Sequence, residues 1–245
     1  MQNKFCLKKC YNVVTGKEPC VIHCPGSFNH FYWSFFENRI YEEFQTEKDI
    51  TIVTWNTGSN HRNLGLLEKS LKNYPVLNCA EKYNGKWANN KKMLLLANEI
   101  NNIKTPYIIG SDSADVIFIK SPIEVLQRFK KLNVKMVFNC EKYFYPDIEE
   151  TQEYKCFQDK IGYNNPYKYL NAGLWIAETD YIKNIIPKYI FNIQKFSKSQ
   201  YRESEQIVWH SIFEDIHVSL DYKCELFQNI AKLSPGELSF NPIID

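Results

Sequence analysis

Tyr107-Ile-Ile-Gly-Ser-Asp-Ser-Ala-Asp-Val-Ile-Phe118 is the stretch on which the reading of this chain turns. Tyr107 to Gly110 reads as a buried strand that ends at Ser111-Asp112, and the apolar run from Val116 to Ile119 follows at once. Ligands of open α/β folds bind outside the carboxyl ends of such strands, so Asp112 and Asp115 stand where a site is expected. Two carboxylates held that close to apolar sequence repel each other unless a cation lies between them. A hard cation such as Mg²⁺ or Mn²⁺ prefers oxygen ligands and completes its shell with substrate phosphates. The competing reading is that Asp112 caps a turn and Asp115 is solvated, because Asp-x-x-Asp is a short string.

Outward from this stretch, strands alternate with helices. Ile50 to Trp55 is a β-branched run leading into the turn signal Asn56-Thr-Gly58. Residues 63 to 73 carry Leu64, Leu67 and Leu71 at helical spacing, and Met93, Leu96, Ala97 and Ile100 mark a helix from Lys91 to Ile103. Ser121-Pro-Ile-Glu124 predicts a capping box with Pro at the first helical position, opening a helix to Leu132. A strand over Lys135 to Asn139 comes next, then an irregular acidic loop over Asp147 to Glu153. Tyr169 to Ala177 reads as loop into strand. Thr179 is expected to cap a helix whose apolar face carries Ile182, Ile185, Ile186, Tyr189, Ile190 and Ile193, with a kink or restart at Pro187. A helix over Glu205 to Phe213, a strand over His217 to Leu220 and a terminal loop complete the series. The alternation predicts one α/β domain over residues 1–245, with a mostly parallel sheet and helices on both faces.

Bulk properties narrow the function. The chain has 245 residues, 44% apolar and 24% charged, an ordinary globular composition. A net charge of +2 with lysines interspersed among acids gives no basic stripe, which argues against a nucleic-acid partner. No apolar run approaches a membrane span, the amino terminus lacks the apolar core of a signal peptide, and no Asn-x-Ser/Thr acceptor occurs. The expectation is a cytoplasmic protein with reduced thiols among its eight cysteines. Cys6, Cys10, Cys20, His23 and Cys24 offer zinc-type ligands but lack paired C-x2-C knuckles, so free, partly buried thiols are the favoured reading.

The stretch 107–118, followed by Ser121-Pro-Ile-Glu-Val-Leu, resembles the glycosyltransferase domain of the procollagen lysyl hydroxylase family. Further segments resemble it in order: Asn139-Cys-Glu-Lys-Tyr-Phe-Tyr-Pro146, Leu170-Asn-Ala-Gly-Leu-Trp-Ile, Glu203-Ser-Glu-Gln206, and Leu220-Asp-Tyr-Lys-Cys-Glu-Leu-Phe-Gln-Asn229. The resemblance implies an A-type glycosyltransferase fold, a Rossmann-like mixed sheet flanked by helices, working with Mn²⁺ (or Mg²⁺) and a UDP-sugar donor. It implies Asp112 and Asp115 as metal ligands and a third ligand from a later Ile-His-Gly-Asn-Gly segment. This chain ends without that segment, but Val14 to Gly26, containing Val-Ile-His-Cys-Pro-Gly, looks like it. A circular permutation that brings His23 to the metal from the amino end is therefore expected, since termini often lie close together. The alternative is a structural histidine.

Other roles follow from the same resemblance. The turn at Thr54 and Trp55 lies where the nucleotide is held, and Trp55 or Trp87 stacks on the base or fills the core. Lys92 lies near the diphosphate or is solvated on a helix face. Asn171 bonds sugar hydroxyls, with Gln206 close by, and Glu205 is the candidate general base toward an acceptor hydroxyl. Asp221 orients the metal shell or a loop. The implied acceptor is a protein, such as a collagen-like chain, or a glycan. The sequence departs from the family at Ala114, where an aromatic residue stacks on the base, at the thinned acidic run Glu203-Ser-Glu205, and at Cys24-Pro-Gly26. These departures support a second reading, a non-catalytic glycosyltransferase-like binding module. A nucleotidyltransferase ranks third, because Asn56-Thr-Gly-Ser59 is a poor Gly-rich loop.

Overall fold

The structure, a computed structural model, describes residues 9–25, 35–37, 39, 41–58, 65–214, 217–234 and 236–240. In chain order the elements are β1 (Cys10–Asn12), β2 (Val21–His23), β3 (Ile50–Thr54), α1 (Leu66–Ser70), β4 (Val76–Asn78), α2 (Lys92–Glu99), β5 (Tyr107–Ser111), β6 (Val116–Phe118) and α3 (Pro122–Lys130). After them come β7 (Met136–Glu141), α4 (Gln152–Ile161), β8 (Tyr169–Glu178), α5 (Thr179–Lys195), α6 (Glu205–His210), β9 (Val218–Leu220), β10 (Phe227–Asn229) and β11 (Leu238–Phe240).

A six-stranded sheet in the order β4-β3-β5-β8-β7-β9 forms the centre. The β4–β3, β3–β5 and β7–β9 pairs are parallel, whereas β8 runs antiparallel to both β5 and β7. The sheet is therefore mixed, as the family resemblance implies, with a reversal at β8 that strand–helix alternation alone does not predict. Side chains alternate across it. Val53, Ile108, Phe138 and Trp175 pack into one core, and Ile52, Ile109, Val137 and Ile176 into the other. Covering both faces explains why β8 reads as a nearly unbroken buried run. Gly110 of β5 leaves room for its neighbour, since a Cβ there would fall 2.2 Å from the Trp175 ring.

A three-stranded sheet, β10-β2-β6, and the β1–β11 ribbon lie outside this sheet. In the first, Val21–His23 pairs parallel with Phe227–Asn229 and antiparallel with Val116–Phe118. In the ribbon, Cys10 faces Phe240 and Asn12 faces Leu238, so strands from the two ends of the chain pair with each other.

Several local expectations are corrected. The acidic stretch from Asp147 does not stay irregular: a 3₁₀ turn at Glu149–Thr151 leads directly into α4. Ser121 caps α3 by accepting from the Glu124 amide at 3.4 Å, but the Glu124 carboxylate pairs with Arg128 instead of returning to the cap. Thr179 is the first residue of α5, with Glu178 at the cap. That helix runs through Pro187 without a break, its face of Ile182, Ile185, Ile186 and Tyr189 buried against the core. Each such buried side chain contributes about 1.5–3 kcal/mol, which offsets the lost backbone donor. The terminal segment contains β10 and β11 in place of an uninterrupted loop. Leu64 lies outside the described residues. Among the described residues no helix is long and apolar enough to cross a membrane, and all seven described cysteines are free thiols.

Candidate functional site

Asp112 follows the last residue of β5, and Asp115 precedes β6. His23 ends β2, which is wedged between β10 and β6 in a register that sets it opposite Val116 and Asn229. The Cys24 amide donates to the Asp115 carbonyl at 2.8 Å and fixes the two segments beside each other. The His23 Nε2 consequently lies 3.8 Å from Asp112 Oδ2 and 3.7 Å from Asp115 Oδ1. One ligand atom from each of the three lies within 4.8 Å of the others. A β-bulge completes the arrangement: between Phe138 and Asn139 the β7–β8 register jumps from Trp175 to Asn171. The Gly173 carbonyl in that bulge accepts from the Asp112 amide at 2.8 Å.

These residues fit a divalent cation. His23 is 2% exposed, and its Nε2 meets the two carboxylates only at ion-pair distance, too far for a direct hydrogen bond of ordinary length. Burial works against charge on the ring, but Asp115 and Asp112 outweigh it and raise its pKa. The field that favours a proton on Nε2 equally favours a metal ion in its place. One imidazole and two carboxylates with a polar cleft beyond them form a donor set that could hold a divalent metal ion. On the far side of the ring, Nδ1 is 3.3 Å from Asn139 Nδ2, and the buried Asn139 Oδ1 has no partner.

Beside the triad, the buried Lys92 ammonium hydrogen-bonds both Asp112 and Glu205. Burial opposes its charge, but the two carboxylates raise its pKa, so it stays protonated. The solvated alternative for Lys92 does not hold. A second acid stands across the cleft. Glu141, at the end of β7, accepts from Gln206 Nε2 at 2.6 Å and from Asn171 Nδ2 at 3.3 Å. Burial pushes its carboxyl up to about 7 against the pull of those two amides. Gln206 also donates to the Tyr145 carbonyl at 2.9 Å and accepts from the Ala172 amide, tying α6 to the bulge.

His23, Asp112, Asp115, Glu141, Asn171, Glu205 and Gln206 all line one cleft of about 570 Å³, within the range of small-ligand sites. Lys142, Lys232 and the aromatic residues 143–145 form its other walls. Thr54, Trp55 and Lys92 stand behind this lining. Thr54 Oγ1 donates to the Ser111 carbonyl at 2.8 Å, bracing β3 against β5, and the Trp55 ring centroid is 5.7 Å from the Lys92 Nζ. Trp87 lines a neighbouring cavity instead. Asp221 serves the loop and not the triad: it accepts from the amides of Glu225, Leu226 and Phe227. Among the described residues Cys10, Cys20 and Cys24 form no metal-ligating group, and Cys6 lies outside them. Sequence reasoning missed Glu141 and Asn139. Their signal was polar residues at the carboxyl end of an otherwise apolar strand, the rule that singled out Asp112.

Comparison with known proteins adds the lineage. The sequence model of the family described as the PLOD GT domain matches residues 45–241. Over 129 residues the chain is 29% identical to procollagen-lysine,2-oxoglutarate 5-dioxygenase 1 of Gallus gallus, and the match covers 50% of this chain and 16% of that protein. It is 30% identical to procollagen-lysine,2-oxoglutarate 5-dioxygenase 2 of Homo sapiens over the same length and shares. The matched part is thus a small fraction of those relatives. With four-fifths of its length matched by the family model, the chain belongs to the PLOD GT domain family of glycosyltransferases.

Proposed function

We propose that the chain transfers a hexose from a UDP-sugar to an acceptor hydroxyl, with Asp112, Asp115 and His23 holding Mn²⁺ or Mg²⁺. The observation that carries this reading is the convergence of one buried imidazole and two carboxylates, one ligand atom of each within 4.8 Å of the others, at the base of the cleft. A cation bound there supplies Lewis-acid neutralisation of the charge on the departing diphosphate. Lys92, fixed between Asp112 and Glu205, adds a permanent positive charge close behind the same point. Thr54 and Trp55 bound the nucleotide end of the donor site. Asn171 orients the sugar through its amide, and Gln206 steadies it through their shared acceptor Glu141.

In the transfer, the acceptor oxygen bonds to the anomeric carbon as the bond from that carbon to the UDP oxygen breaks. Glu205 takes the hydroxyl proton, in the role of general base. Burial raises its carboxyl and the Lys92 ammonium opposes that rise, which keeps it a usable base near neutrality. The acceptor is a protein hydroxyl, as on a collagen-like chain, or a glycan hydroxyl. The relatives are named for procollagen lysine, which favours the first source.

His23 lies outside the region matched by the family model, residues 45–241. A circular permutation accounts for its place in the site, and the pairing of Cys10–Asn12 with Leu238–Phe240 supports it by holding these two segments side by side. Residues 1–245 then act as one glycosyltransferase domain. The second reading is a non-catalytic binding module, favoured by Ala114 and by the short acidic run at Glu203 to Glu205. Mn²⁺ titration of the parent and of His23→Ala, alongside an assay of UDP release from UDP-sugars, tests both. Sharply weaker Mn²⁺ binding in the variant and UDP release in the parent are expected. Unchanged Mn²⁺ affinity removes His23 from the site, and UDP-sugar binding without release selects the module.

A further inference from the structure

Two segments meet in the wall of the cleft: residues 142–145, which follow β7, and a strap over residues 230–237, which leaves β10 and leads into β11. They are joined by two reciprocal contacts, each a lysine of one segment set on a residue of the other. Lys142 Nζ donates to Glu237 Oε2 at 2.5 Å, and Lys232 Nζ lies 4.4 Å from the centroid of the Tyr143 ring. We infer that Lys232 is a further donor-binding residue held in reserve: it rests on the Tyr143 ring and moves to the diphosphate oxygens of an entering nucleotide-sugar. The inference rests on the transferase reading above and adds a movable cation to its donor site.

The two contacts differ in strength. Glu237 is buried, and its carboxylate also accepts from the Tyr167 hydroxyl and, at 3.1 Å, from the Ser234 amide. Asn12 Nδ2 reaches the same hydroxyl at 3.1 Å and Gln228 Oε1 at 2.6 Å, and the Val13 amide donates to the Glu237 carbonyl at 2.9 Å. Freeing Lys142 would strand a buried carboxylate inside this network, so that end of the strap stays fixed. Lys232 and Tyr143 are both exposed, the tyrosine at 54%, and an exposed ammonium is held only weakly by a ring. A charge-assisted hydrogen bond to a phosphate oxygen is stronger. The anion wins the lysine.

The backbone places this lysine. The Ile230 amide donates to the His23 carbonyl at 2.9 Å and the Ala231 amide to Asn229 Oδ1 at 2.8 Å, which pins the near end of the strap to the strand carrying the candidate metal ligand. Lys232 follows Ile230 by two residues, at most about 7 Å of chain, and lines the same cleft as the triad. Its φ of 55° lies in the left-handed region, uncommon for a residue other than glycine. Such conformations persist where the surroundings impose them, and they concentrate at functional sites. A ligand that must first lift Lys232 from the ring binds less tightly by the fraction at rest there.

Calorimetric titration of the whole chain with UDP in saturating Mn²⁺ tests this, using the parent, Lys232→Asn, Tyr143→Leu and the double variant. Asparagine tolerates the left-handed turn while removing the ammonium. Lys232→Asn should weaken UDP binding about tenfold. Tyr143→Leu, which removes the resting place, should tighten it about two- to fivefold. In the double variant that gain should vanish, because it depends on the lysine. Inorganic pyrophosphate with Mn²⁺ should give the same order of affinities, since the lysine closes on the diphosphate and not on the base. An unchanged affinity in Lys232→Asn overturns the inference, as does a Tyr143→Leu that binds UDP more weakly or gains equally without the lysine. Those results leave the transferase reading intact; it fails separately if the parent releases no UDP from UDP-sugars. A parent that binds UDP without such release and still completes the cycle keeps the reserve lysine, and one that binds neither UDP nor pyrophosphate removes it.

Discussion

Gly173 lies against His23: a Cβ on this glycine would fall 2.4 Å from the imidazole Cε1 and 2.7 Å from Asp112 Oδ2. Two of the three candidate metal ligands therefore pack on a position that tolerates no side chain. Gly173→Ala is expected to push ring and carboxylate apart and weaken Mn²⁺ binding about 10- to 100-fold, as measured by calorimetric titration. Retention of parent affinity would show that the triad is not held by this contact.

Asn139 should set which nitrogen of His23 faces the acids. With its amide turned so that Oδ1 meets Nδ1–H, the orphaned oxygen gains a partner and Nε2 presents its lone pair to the cleft. Asn139→Ala then lowers Mn²⁺ affinity about 10- to 100-fold, and Asn139→Asp, which keeps an acceptor, restores most of it. Equal loss in both variants, followed by Mn²⁺ EPR titration, would argue against this orientation.

Lys92 is the common cation of two carboxylates. Lys92→Met should destabilise the fold by about 3–5 kcal/mol in urea titrations at neutral pH, because Glu205 is left buried without its partner. Adding Glu205→Gln removes the stranded charge and should recover a large part of that loss. Additive losses would contradict the coupling.

His210 predicts a pH dependence independent of the metal triad. Its Nε2 lies 2.9 Å from the Tyr145 carbonyl and its Nδ1 lies 2.8 Å from Gln158 Nε2, and burial lowers its pKa from 6.5 to about 4. The unfolded chain binds this proton below 6.5 and the folded chain only near 4, so the stability is present above pH 6.5 and is lost as pH falls toward 4. The slope in that window is about 1.4 kcal/mol per pH unit from this residue. Chemical denaturation across the range should show it, and His210→Gln should flatten it. A parent profile already flat there would refute the assignment.

How much was legible in the sequence depends on the physics behind each element. Asp112 and Asp115 were legible because an apolar strand ended on them. The long apolar faces of α2 and α5 declared themselves by helical spacing. α4 escaped because acids crowd its start and one of its buried residues is Gln158, which donates to His210 and accepts from the Leu170 amide. A helix that buries an amide loses the periodicity by which helices are read. Strands β1, β2, β10 and β11 span three residues each, too few for any alternation to register. His23 thus came from family resemblance and not from pattern. Glu141 was passed over because an acid closing a buried strand looks like the strand's exit to solvent.

The wedge of β2 between β10 and β6 has a thermodynamic corollary. No local segment can assemble the metal centre, since its imidazole arrives on a strand whose partners come from both the middle and the end of the chain. If the triad takes up Mn²⁺, uptake is coupled to docking of β2, and added Mn²⁺ is expected to raise the melting temperature as the stabilisation grows with the logarithm of its concentration above Kd. An ion held by His23, Asp112 and Asp115 would lock the topology as well as serve the proposed transfer.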